Sequence, residues 1–395
     1  MNPSFQTFPL TTREIAALNK LGPDSNFGCT SLIYEDANKS YYLGRTLELT
    51  MDLPYQMAYL PTGQNFASKL GDHPSLSYTN QYALLSIVMP ARTPTVEAPI
   101  TLADLKIIEG FNTEGLTFSL LAYPTASGAS QQIEMTQSVL SATDLGTWTL
   151  GQFKSVAEVK AALTAQPISL DSLALLGGVE APFHYVLHDR SGASIVIEFD
   201  HGKQTIYDNP VGVMTNGPQF TWHLTNLNNY TFLSNVDHSS ATFGNLRVRQ
   251  PDSGIATAAL PASNTSVGRF VRAVYYAQFT EKVSEPDQAI RTLAHIMNQF
   301  DRPKGITISP RAEGGHMEVE GIDTGDSEHA TEYTSWTNLT DLNRSLFFLR
   351  TYDGLNYTMF DLAKLAKTDE VKVMGMSSLD GLAVDGTEAL LAGQK

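Results

Sequence analysis

Asn26-Phe27-Gly28-Cys29-Thr30-Ser31 contains the only cysteine of the 395-residue chain. A lone cysteine makes no intramolecular disulfide, so it is either a small buried hydrophobe or a reactive thiol. Its surroundings decide which. Cys29 follows a glycine and opens a run with strand character that reaches Glu35. Asp36-Ala37-Asn38-Lys39 is turn chemistry, and Tyr41 to Leu49 is strand-like again. The pattern predicts a β-hairpin with Cys29 at its open end and Arg45 toward the end of the returning strand. A four-residue loop pairs Cys29 with Thr46, and a loop one residue different pairs it with Arg45. In both registers Arg45 lies within one residue of Cys29 on the neighbouring strand.

Upstream of this hairpin, residues 1–28 read as a leader. Thr11-Thr12-Arg13-Glu14 forms a capping-box pattern ahead of Ile15 to Leu18, which predicts a short helix. Gly22-Pro23-Asp24-Ser25-Asn26 then breaks it. The leader has no basic segment followed by a continuous apolar one, as a secretory signal would. The compartment is periplasmic if a signal has been removed and cytoplasmic otherwise.

Downstream, residues 29–395 read as one α+β domain without repeats or linkers. Strand patterns fall at Gln81 to Met89, Gly115 to Leu121, Tyr185 to His188, Ser194 to Phe199, Val213 to Thr215, Glu332 to Thr337 and Ser345 to Thr351. Helical patterns fall at Thr101 to Ile108, Ser155 to Ala165, Val267 to Phe279, Pro286 to Phe300 and Met359 to Leu365. Residues 235–265, rich in Ser, Asn, Thr, Gly and Pro, read as a long loop.

A net charge of −15 argues against a nucleic-acid surface and against attraction to anionic membranes, both of which need clustered Lys and Arg. No apolar run approaches the roughly 20 residues of a membrane span. Small-molecule or peptide ligands fit this composition.

A nucleophilic thiol needs a base, and histidine is the usual one. None of the nine histidines stands in an informative position. His184 and His188 have the spacing of a metal pair only on a helix, and their surroundings read as strand. His223, His295 and His316 read as structural, and Asp323, Asp326 and Glu328 as a solvated acidic loop without calcium-loop spacing. A different solution needs no histidine. Cutting the Gly28–Cys29 bond gives Cys29 a free α-amine, whose pKa near 8 suits a general base for its own thiol.

Here the sequence resembles the choloylglycine hydrolase family of bile salt hydrolases and penicillin V acylases. The resemblance rests on Cys29 with Gly44-Arg45-Thr46-Leu47-Glu48 and on further stretches in order: Gly110-Phe111-Asn112 with Glu114-Gly115-Leu116, Gly115 to Pro124, His184 to Glu198, Thr215 to Leu227, Arg269 to Ala273, Thr331 to Thr337 and Leu349 to Asp353. It implies a four-layer αββα sandwich of the N-terminal nucleophile hydrolase type, with no cofactor and no metal. It also implies that Cys29 is a nucleophile exposed by processing and that Arg45 lowers the thiol pKa. Asn216 and the backbone N–H of Ala122 become the oxyanion donors, and Arg269 an active-site arginine. Glu48 stands where the family usually has an aspartate holding the α-amine, a mark of the Gram-negative-type branch. The implied substrate is a small-molecule amide with an apolar acyl group: penicillin V, an N-acyl-homoserine lactone or a conjugated bile salt. Side chains between Met51 and Tyr59, and around Tyr123, are expected to line the acyl pocket. Family members are often homotetramers. The alternative is an unprocessed, non-catalytic binding protein on the same fold, its α-amine blocked by the intact leader.

Overall fold

The hairpin organises the molecule. In the computed structural model its strands are β1, Gly28–Glu35, and β2, Tyr41–Leu49. Residues 6–19, 28–123, 133–173, 175, 178–200, 202–310 and 329–381 are described. The register differs from both expected ones: Cys29 pairs with Leu47, and Arg45 pairs with Ser31. The cause lies in the turn. Asp36 N–H donates to the Ser40 carbonyl at 3.0 Å, so the pairing continues one step further and only Ala37 to Lys39 bridge the strands. Lys39 adopts a left-handed φ of 63°, the conformation that closes three-residue hairpin loops. The Asp36 carboxylate accepts the N–H groups of Asn38 and Ser40 at 2.8 Å each. Parity follows. Directly paired residues share a face, so this register puts Arg45 diagonal to Cys29 on the same face, where pairing with Thr46 would have pointed it away.

Among the described residues, two antiparallel sheets of six and eight strands form the centre. The first has the order Val213–Met214, β1, β2, Tyr333–Asp341, Leu346–Thr351, Thr358–Asp361. The second runs Lys203–Asp208, Ser194–Asp200, Phe183–His188, Thr117–Ala122, Leu105–Asn112, Leu84–Pro90, Gln56–Leu60, Lys372–Gly375. The helices Ser266–Phe279 and Pro286–Met297 cover the first sheet, while Leu145–Gln152 and Val156–Leu163 pack on the second. The result is the expected αββα sandwich. β1 and β2 are covered on both faces, so they carry no inside–outside alternation and even their polar residues Thr30, Ser31, Arg45, Thr46 and Glu48 are buried. No described helix is long and apolar enough to cross a membrane.

Three local expectations need correction. Thr101 to Ile108 is a single 3-10 turn, Leu102–Asp104, that leads into the strand Leu105–Asn112. Met359 to Leu365 is the strand Thr358–Asp361 followed by the short helix Leu362–Leu365, because Asp361 caps that helix at Lys364 N–H. Within residues 235–265 the strands Ser240–Phe243 and Leu246–Arg249 form an exposed hairpin. The strands Gln56–Leu60 and Lys203–Asp208 were not anticipated. Residues 6–19 are packed on the domain. The helix α1, Thr12–Leu18, has the predicted capping box, and Phe8 and Leu18 are buried.

Helix Pro286–Met297 buries Ala289, Ile290, Leu293, Ile296 and Met297, one stripe at helical spacing, against β2 and its neighbour. Gly44 makes the seat: a Cβ there would lie 2.6 Å from Met297 Sδ and 2.9 Å from Leu293 Cδ1. Replacement of Gly44 by valine therefore overpacks this contact and lowers stability by about 2 kcal/mol. A lowered denaturant midpoint with an unchanged slope is the expected result, and an unchanged midpoint contradicts this seating.

Candidate active site

Cys29 Sγ accepts from Arg45 Nη2 at 3.3 Å. The guanidinium is wholly buried and crosses from the first sheet to the second. Its Nη1 donates to the Ile108 carbonyl at 3.2 Å and to Glu109 Oε2 at 3.1 Å, and its Nη2 also donates to the Leu120 carbonyl. The plane lies over Trp336, 4.9 Å from the ring centroid. Burial pushes the Cys29 thiol above its ordinary value; Arg45 pulls it back, and the Glu48 charge adds to the rise. The backbone of Ala122 beside the sulfur favours thiolate as well. Burial likewise pushes the Glu109 carboxyl up to about 7, with Arg45 opposing it.

Asn216 follows the strand Val213–Met214 beside β1. Its Oδ1 accepts the Cys29 N–H at 2.9 Å and Arg269 Nη2 at 2.7 Å, and its Nδ2 donates to the Ala122 carbonyl at 3.0 Å. Three further groups fix its backbone. Ser266 Oγ accepts the Asn216 N–H at 2.9 Å. His223 Nε2–H donates to the Asn216 carbonyl, and His184 Nε2–H to the Thr215 carbonyl, both at 2.9 Å. Burial pulls His223 down to about 4, so it is neutral and holds this tautomer. Arg269, in the first turn of Ser266–Phe279, also donates from Nη1 to the Cys29 carbonyl and to Thr30 Oγ1, the latter at 2.9 Å. Burial and the neighbouring Arg302 lower it to about 10, still protonated at neutral pH.

Glu48 pairs with Gly28 across the hairpin. Its Oε1 accepts from Thr334 Oγ1 at 3.3 Å, while Oε2 is buried without a hydrogen-bond partner among the described residues. A Cβ on Gly28 would lie 3.0 Å from Glu48 Cβ and 3.1 Å from Glu48 Oε2, and would collide with the Glu332 carboxylate. Residue 28 therefore has room for hydrogen only, and the Glu48 carboxylate lies beside it.

The thiol lies beside a small apolar cavity of about 70 Å³. Leu47, Met89, Ile108, Leu120, Leu175 and Phe183 line it, with Lys106 at one side in an ion pair with Asp144. This corrects the expected pocket: residues 51–59 and Tyr123 do not line it. Gln56–Leu60 is a buried strand of the second sheet, and Tyr123 is stacked on His184 with ring centroids 4.9 Å apart.

The six expected site residues thus meet around one sulfur and one amide nitrogen. The sequence reading missed Glu109, Trp336, Ser266 and the positioning roles of His184 and His223. A glutamate between Ile107-Ile108 and Gly110-Phe111 was the available signal for the first, since a charge inside an apolar strand needs a partner. His184 sits 3.2 Å from Glu198, and His188 is buried on the same strand; no group of metal-holding side chains occurs among the described residues. His316, Asp323, Asp326 and Glu328 lie outside the described residues.

The fold is an αββα sandwich with a buried thiol and its arginine beside an apolar cavity. Residues 29–372 match the model of the linear amide C–N hydrolases, choloylglycine hydrolase family. The chain belongs to that family, whose members hydrolyse carbon–nitrogen bonds other than peptide bonds. It is 26% identical over 345 residues to a bile salt hydrolase/transferase of Lactiplantibacillus plantarum, covering 85% of this chain and 95% of the relative. It is 26% identical over 262 residues to a penicillin V acylase of Pectobacterium atrosepticum, covering 65% and 62%. Among solved structures, a variant of conjugated bile acid hydrolase from Clostridium perfringens superposes with a TM-score of 0.72 at 21% identity, covering 90% of this chain and 99% of that one. Penicillin V acylase from Agrobacterium tumefaciens gives 0.66 at 22%, covering 88% and 92%.

The Glu109→Gln variant separates the two charges that act on Arg45. Glutamine keeps an acceptor for Nη1 but removes the anion that offsets the guanidinium. The thiol pKa falls, and alkylation of Cys29 at neutral pH accelerates by about tenfold for each unit. A slower or unchanged rate contradicts this arrangement. The variant also changes the pH dependence of stability. A carboxyl whose folded value lies above its ordinary 4.5 favours the folded state fully below 4.5, and that contribution is lost as pH rises through about 7. The thermal midpoint of the unmodified protein, relative to the variant, declines across that window.

Proposed function

We propose that the chain hydrolyses a small-molecule amide with Cys29 as nucleophile after the bond between Gly28 and Cys29 is cut. The supporting observation is the sulfur's position: beside Arg45 and the Ala122 N–H, at the mouth of an apolar cavity. Cutting turns the Cys29 N–H into an α-amine that already has an acceptor in Asn216 Oδ1, with the unpartnered Glu48 oxygen nearby for its charged form.

In the reaction the α-amine takes the thiol proton, and Arg45 favours the resulting thiolate. Sulfur adds to the amide carbonyl carbon. The charge that develops on the carbonyl oxygen is met by Asn216 Nδ2 and the Ala122 N–H, each such donor contributing roughly 3 kcal/mol. The C–N bond breaks as the α-ammonium returns its proton to the leaving nitrogen. Water, deprotonated by the same amine, then cleaves the thioester and releases the acid. Arg269 is a positioning residue that holds the Asn216 amide and the Cys29 carbonyl in register.

The cavity favours an acyl group without hydroxyls, because a buried hydroxyl without a partner is costly. Penicillin V and the N-acyl-homoserine lactones carry such groups, so the proposed activity is penicillin V acylase-like. Conjugated bile salts are the second reading, favoured by the bile salt hydrolase relative being matched over 95% of its length. The Cys29→Ala variant is expected to retain its leader and to hydrolyse none of the three substrate classes. Turnover by that variant sinks the mechanism. In the unmodified protein, preferential cleavage of penicillin V over glycine- and taurine-conjugated bile salts is the expected ranking, and the reverse selects the second reading.

The homotetramer implied by the family finds support in the exposed hairpin of Ser240–Phe243 and Leu246–Arg249. Phe243 is 69% and Leu246 63% exposed there. Light scattering is expected to give four times the chain mass for the unmodified protein and a smaller particle for Phe243→Asp combined with Leu246→Asp.

A further inference from the structure

We infer that the leader stays bound after the Gly28–Cys29 bond is cut, as a second, non-covalent chain of the mature protein. This rests on the cleavage proposed above.

Three observations carry it. First, the leader is part of the core. Phe8 is 6% and Leu18 1% exposed, and both belong to the same contiguous apolar cluster as Cys29 and Leu47. A departing leader would leave two empty sockets in that cluster. Second, the leader is hydrogen-bonded to the domain by its backbone. Phe8 N–H donates to the Ile100 carbonyl at 2.9 Å, and Thr7 makes an antiparallel bridge with Thr101. At the other end of α1, Thr93 Oγ1 donates to Asn19 Oδ1 at 2.9 Å. The helix between these anchors is self-capped, with the Glu14 carboxylate accepting Thr11 N–H at 2.7 Å. Nothing in this docking depends on the peptide bond at residue 28.

Third, the leader meets the other segment that lies beyond the family-matched residues 29–372. Thr11, Glu14 and Ala17 of α1 face Met376, Ser377 and Asp380 across a cleft of about 230 Å³. Met376 is itself buried. Trp336 lies in the same cleft and stacks under the Arg45 guanidinium. The two extensions therefore line one cleft behind the site, and the leader forms a wall next to the aromatic ring that supports the nucleophile's arginine.

The test compares one preparation of the full chain under denaturing and native conditions. Denaturing mass spectrometry is expected to show two species, residues 1–28 and 29–395. Gel filtration followed by native mass spectrometry is expected to show both in one particle at equal stoichiometry. A native particle of residues 29–395 alone overturns the inference. An uncut chain under denaturing conditions overturns the proposed cleavage. Docking is then read separately, in Cys29→Ala carrying a site-specific protease sequence between residues 20 and 27. After protease treatment the N-terminal fragment is expected to stay with the particle, and its loss overturns the inference. In that same background Phe8→Asp with Leu18→Asp is expected to release the fragment. Retention by this double variant overturns the assignment of those two side chains as its anchors.

Discussion

The structure depends on one buried guanidinium. Arg45 leaves β2, crosses the space between the two sheets and is held there by two backbone carbonyls, a carboxylate, an indole face and a thiol. Such a group is tolerated in a core only because it is almost completely satisfied. A buried pair broken by removing one partner costs about 3–5 kcal/mol, since the remaining charge stays out of water. The sheets therefore cannot slide without breaking the contacts of Arg45, and the distance from sulfur to guanidinium is a consequence of how the sandwich closes. Stability and chemistry are set here by the same bonds.

Glu109 gives this arrangement its particular balance. The arginine's charge is shared between a carboxylate on the second sheet and a sulfur on the first. With Glu109 ionised, less of that charge acts on the thiol; with Glu109 protonated, more does. The Glu109 carboxyl lies near neutrality because burial and Arg45 work against each other. Burial and the Glu48 charge hold the Cys29 thiol above its ordinary value against the pull of Arg45.

The sequence made the hairpin and its strand limits legible, because turn residues bracket two runs that nothing else interrupts. It made the six site residues legible through their order along the chain. Both registers it offered were wrong, the nearer by one step. That step was decided by a single lysine in a left-handed conformation, which hydrophobic pattern does not encode. The cavity was not legible at all. Its walls come from residues near 89, 107, 120, 175 and 183, which become neighbours only once the second sheet has formed. His184 and His223 were visible as residues but not as supports, because their partners are backbone carbonyls that any residue supplies.

The cavity has an evolutionary consequence. The thiol and its charge partners Arg45 and Glu48 stand on the β1–β2 hairpin, whereas most of the surface that a substrate's acyl group would touch belongs to the second sheet and the connections at its rim. Reactivity and selectivity are encoded in different stretches of the gene. A lineage can alter what the cavity admits by drift at positions such as Met89, Leu175 or Phe183 and leave the thiol-bearing hairpin untouched. Such a division lets one scaffold diversify among linear amides without having to reinvent its reaction.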